Sequence, residues 1–151
     1  MNTIYRLTEK IQTELESNVL INTVTYGDID DLLLDKRNIY PVAHVNLTGA
    51  TLSSSTANVS VSVMIMDIVD INKKEEVSIF RGNDNEQDVL NQCTAAASKL
   101  VAELKRGTLF AEGYQVEGDA NLEFFTDRFE HKIAGVALTF EVILSNNIDL
   151  C

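Results

Sequence analysis

The sequence predicts an α+β fold: a mostly antiparallel β-sheet with two helices packed on one face. Three observations carry this. Residues 59–69 alternate at strand spacing, with Val59, Val61, Val63 and Ile65 set against Ser60, Ser62, Met64 and Met66. Val136, Leu138, Phe140, Val142 and Leu144 repeat that spacing near the other end of the chain. Between the two, Val89, Leu90, Cys93, Ala96, Ala97, Leu100, Val101 and Leu104 recur at i, i+3, i+4 and i+7, the stripe of an amphipathic helix. The 151 residues suit a single domain, 1–151, and an apolar fraction of 45% is enough to fill a core.

Each element follows from local chemistry. Ile4, Leu7, Ile11 and Leu15 form a helical stripe between Thr3, the expected N-cap, and Ser17. Residues 19–26 are β-prone, and 27–31 read as an acidic turn. Pro41 stands where a strand begins and its missing N–H is not needed. Val42 to Leu47 continues that strand, with Ala43, Val45 and Leu47 on one face. Residues 48–58, rich in Ser and Thr, read as a polar connection, and 70–76 as a charged tip. The main helix is expected to start near Asn83 or Asp84 and to end at Lys105-Arg106-Gly107, where cations and a glycine suit a C-terminus. Residues 114–117 and 121–125 read as two short strands split by Gly118-Asp119. Phe124, Phe125 and Phe129 are expected to add aromatic core volume. The last strand, from Lys132 to Leu144, sets Gly135, Ala137, Thr139, Glu141 and Ile143 on the face opposite its valines and leucines.

Charge narrows the function classes. Twelve basic residues against 23 acidic ones give a formal net charge of -11. Tight nucleic-acid binding needs Lys and Arg to neutralise phosphate, so that class is disfavoured. Cys93 lies in the helical stripe and reads as a small core residue, while Cys151 is the last residue; no structural disulfide is expected. Residues 1–6 lack a charged segment followed by an apolar run, and no apolar stretch approaches bilayer length. The expected setting is a reducing cytoplasm or a particle assembled there.

Catalytic signatures are absent from the sequence. It has no G-x-S-x-G, and His44 and His131 lie far apart in or near strands, where a surface or a satisfied strand role is the expectation. Asp28, Asp30 and Asp31 begin like a calcium loop, but the glycine and glutamate that loop needs are replaced by Leu33 and Ile39. Zinc would need more Cys and His. The expectation is a protein that is not an enzyme and carries no cofactor or metal.

Two segments stand out as contact candidates. Met64, Met66 and Ile68 make the 59–69 strand apolar on both faces at its C-terminal end, so it needs two covers; the methionines read as core or, if exposed, as a partner surface, and the ring reading below draws the second cover from another copy of the chain. Asn83, Asp84, Asn85 and Glu86 form a polar loop ahead of the main helix, read as a helix cap or a subunit contact.

Several segments together resemble small neck or tail-completion proteins of tailed bacteriophages. They are 22–29 (NTVTYGDI), 40–44 (YPVAH), 66–70 (MDIVD), 83–91 (NDNEQDVLN), 125–130 (FTDRFE) and 146–151 (NNIDLC). The order and spacing of the set carry the likeness, since none is a catalytic motif. The resemblance implies a tail-terminator-like α/β protein with no enzymatic activity. It would form a homo-oligomeric ring, commonly a hexamer, at the head–tail junction of the virion. Its partners would be itself, the tail tube and the head connector, with DNA passing through unbound. Asp28, Asp30, Asp31, Glu75 and Glu76 are the expected lumen-facing acids. The alternatives are a connector ring at the portal of a short-tailed phage, an acidic protein-binding module, and an ion-binding domain using Asp28, Asp30 and His44.

Overall fold

The structure, a computed structural model, describes residues 3–27, 40–69, 80, 85–111, 113–128 and 133–145. Helix α1 (Thr3–Ser17) ends as predicted and begins one residue early, with Thr3 inside the helix and not at its N-cap, and it buries Leu7, Ile11 and Leu15. Strand β1 (Thr23–Tyr26) is shorter than the β-prone run. Residues 18–21 turn instead, because the Asn18 side chain accepts the Leu20 N–H at 3.0 Å and its carbonyl accepts the Ile21 N–H at 3.0 Å. Strands β2 (Val42–Leu52) and β3 (Thr56–Ile68) form a long hairpin, entered after a cis Tyr40–Pro41 bond. The polar stretch expected to be a connection is therefore mostly strand. Backbone pairing does not require apolar side chains, and a bulge between Leu47 and Gly49 keeps the ladder in step.

Helix α2 (Glu86–Arg106) buries Val89, Cys93, Ala96, Ala97, Leu100 and Leu104, the predicted stripe. Asn85 occupies its N-cap position without a side-chain capping bond, and the Gly107 N–H closes the other end on the Glu103 carbonyl at 3.2 Å. A single further turn, α3 (Thr108–Ala111), was not expected from the sequence; it buries Leu109. Strand β4 (Gln115–Arg128) replaces the two predicted short runs. The register shifts between Glu117 and Asn121, where Gly118 takes a φ of +69° that few other residues tolerate, so the chain bulges and remains a strand. Strand β5 (Ile133–Ser145) completes the sheet.

The strand order is β1-β2-β3-β5-β4, with β1 parallel to β2 and all other pairs antiparallel. Helix α1 packs over β1, and α2 packs over β5, β3 and β4. The main core joins the helix stripes to Val59, Val61, Val63 and Ile65 of β3 and to Val136, Leu138, Phe140, Val142 and Leu144 of β5. This is the α+β architecture with helices on one face that the sequence predicts.

Burial sets the chemistry of Cys93. Desolvation, with the Asp67 carboxylate adding to it, pushes the thiol up to about 12 from 9.0. With Cys151 replaced by serine, the native protein is expected to resist iodoacetamide at pH 8 and to be alkylated only on unfolding, as mass spectrometry would record. Between pH 9 and 12 the unfolded thiol loses its proton while the folded one keeps it. The folded state then binds more protons, so this group's contribution to stability falls as pH rises through that window.

Candidate assembly surfaces

The sheet face away from the helices is divided. At one end lies a second core of Val42, Met64, Met66, Phe125 and Ile133, with Tyr40 and Ala137 packed against it. Met66 is 0% exposed. The register explains the cover: Met66 pairs with Gly135, which in turn pairs with Phe125, so the aromatic ring stands on the same face one strand beyond a residue that has no side chain. The expectation that Met64 and Met66 need a second copy to hide them is thus corrected; the chain buries both itself. Ile68 differs, being 42% exposed at the end of β3. The aromatic expectation is also split, with Phe125 buried, Phe124 60% exposed on the opposite face, and Phe129 outside the described residues.

At its other end the same face is polar and open. Asn58, Ser60 and Ser62 of β3 lie beside Thr139 and Glu141 of β5, and Glu117, Asn121 and Glu123 of β4 follow. Glu117 and Glu141 are direct cross-strand partners. The Asn58 amide donates to Glu117 Oε2, and the Ser60 hydroxyl donates to Glu141 Oε1 at 3.4 Å. A shallow depression of about 370 Å³ runs between these groups. Among the described residues no Lys or Arg side chain lies on this half of the face. Like charges directly opposite one another destabilise a sheet, so the Glu117–Glu141 pair lowers stability at neutral pH. Replacing Glu141 by Gln is expected to stabilise the fold by about 0.5 kcal/mol, measured as a higher urea midpoint with unchanged slope.

His44 joins the two ends of this face. It is buried, with Nε2 2.9 Å from the Gly27 carbonyl oxygen and Nδ1 2.8 Å from Thr25 Oγ1. A carbonyl only accepts, so Nε2 carries the proton and Nδ1 accepts from the threonine hydroxyl. Both nitrogens are occupied in tying β1 to β2, so of the two non-catalytic roles expected for it, surface or satisfied strand residue, His44 takes the second. Among the described residues no three His, Cys, Asp or Glu side chains converge on a metal-sized site.

On the helix face α2 and β4 do not close fully on each other. An open groove of about 680 Å³ lies between α2 and the edge strand β4. Its walls are Ala97, Val101 and Ala102 of α2, Ala120 and Leu122 of β4, and Leu138 of β5. Lys105 and Arg106 stand at one end, where Lys105 lies 4.0 Å from the exposed Asp119 carboxylate.

Of the other sequence candidates, Asn85 and Glu86 sit at the start of α2, half-buried. Asn83, Asp84, Asp28, Asp30, Asp31, Glu75, Glu76, His131 and Cys151 lie outside the described residues. The acids on the open face went unread because their grouping depends on pairing of β4 with β5 across a bulge. Comparison with models of known protein families and with curated proteins gives no match.

Proposed function

We propose that this chain is a structural ring protein of a tailed-phage neck, assembled at the head–tail junction with the polar half of its open sheet face toward the passing DNA. The observation that carries the reading is the Glu117–Glu141 pair on the polar half of the face, where no Lys or Arg lies among the described residues. Two carboxylates held opposite each other repel and cost stability, with only exposed hydrogen bonds from Asn58 and Ser60 to offset it. They make sense where a surface must repel phosphate. A basic lumen would neutralise phosphates, release counterions and hold DNA; an acidic one lets it slide. The net charge of -11 extends that field. The likeness of residues 22–29, 83–91 and 125–130 to tail-completion proteins supports the same reading.

Gold-labelled antibody against the chain, applied to phage particles, tests it in electron micrographs. Label at the head–tail junction is the expected result. Label on the capsid shell, at the distal tail tip, or absent from particles would refute the proposal.

A further inference from the structure

We infer that the groove between α2 and β4 receives the outer face of α1 from a second copy of this chain, so that subunits join head to tail. This rests on the ring reading and specifies its contact. Helix α1 covers β1 at one edge of the sheet, and α2 covers β5, β3 and part of β4. Beside β4, at the opposite edge, α2 leaves an open apolar groove against the strand. Phe124 continues the same face of β4 beyond Leu122 and is 60% exposed. A helix laid there would fill the groove and cover that ring.

The partner surface lies at the β1 edge. At 3.6 residues per turn, Tyr5, Glu9, Gln12 and Glu16 fall on one stripe of α1, and all four are exposed. Arg6 and Lys10 are turned away from it. Tyr5, 67% exposed, is an aromatic anchor of the kind that dominates interfaces. Leu7, Ile11 and Leu15 are buried and lie on a different side of α1, so the stripe is turned toward solvent.

Charge then matches the two surfaces. Lys99, Lys105 and Arg106 are exposed on the C-terminal half of α2. On a chain of net charge -11 they mark an end suited to an acidic helix, and the α1 stripe brings Glu9 and Glu16. The long Lys105–Asp119 contact at 4.0 Å is weak and leaves the ammonium available for exchange. The two surfaces differ and sit at opposite edges, so the contact is heterologous and closes a ring when the rotation per subunit divides the circle.

Charge reversal on the full chain, read by sedimentation velocity over a concentration series, tests this. Lys105→Glu with Arg106→Glu is expected to weaken assembly about tenfold, and Glu9→Lys with Glu16→Lys to do the same. All four changes in one chain leave the net charge at the wild-type value and are expected to restore assembly to within about threefold. Lys105→Glu and Arg106→Glu combined with Glu123→Lys and Glu141→Lys carry that same net charge and are expected not to restore it. Wild-type assembly by the groove-reversed chain, or failure of the four-site α1 combination to recover, overturns the groove assignment and leaves the ring reading standing. A wild-type chain that stays monomeric throughout and also when mixed with tail tubes overturns the ring reading itself, and this contact with it.

Discussion

Replacing Gly135 by alanine is expected to remove cooperative folding. Gly135 sits mid-strand in β5, paired with Met66 on one side and Phe125 on the other. A Cβ built there would run into the Ile65 carbonyl oxygen and lie 2.8 Å from Met66 Cα. Both obstacles are backbone, so no side-chain rotation relieves the clash. The strands β3 and β5 must separate, and theirs is the central pairing of the sheet, carrying both cores. The loss is expected to exceed about 4 kcal/mol, the range reserved for a few mechanisms of which forced overpacking is one. Circular dichroism would show no sharp thermal transition. A Gly135→Ala chain melting within a few degrees of wild type would mean the strands are not this close.

Replacing Met66 by alanine comes next in size. The side chain is fully buried among Val42, Phe125 and Ile133, and its removal leaves a cavity in a small core. A loss of about 2–5 kcal/mol is expected, the usual range for such truncations. Its concentration dependence is as informative as its size. If Met66 is held by its own subunit, the loss is the same in dilute protein as in assembled protein, by urea unfolding at low and high concentration. A loss that appears only in the assembled state would restore Met66 to the subunit interface.

These two residues show where a single sequence stops being legible. The alternation of β5 is local, so both of its faces could be assigned residue by residue from Gly135 to Leu144. The α2 stripe was equally local. The doubly apolar end of β3 correctly signalled two covers, but not their source. The second cover includes Phe125, which reaches Met66 only through Gly135, and nothing near Met66 in sequence reports that pairing. Gly118 misled for the opposite reason: a glycine with positive φ ends many strands, and here it forms a bulge within one. The same bulge decides which acids share the open face, so Glu117 and Glu141 could be grouped only once the register was known. Of the residues expected to bury, Phe124 fails because it stands on an edge strand, exposed beyond the part of β4 that α2 covers.

A polar, acid-bearing sheet face and an open apolar groove beside α2 on one small domain-sized chain make most sense if copies of it close into an annulus. Electron-microscopic reconstruction of the assembled protein, alone or capping a tail tube, measures this directly. The account predicts a closed ring of one subunit number, with Glu117, Glu123 and Glu141 facing the central opening and α1 of each copy lying in the α2–β4 groove of the next. An open filament, a two-fold dimer, or a ring with that face turned outward would contradict it.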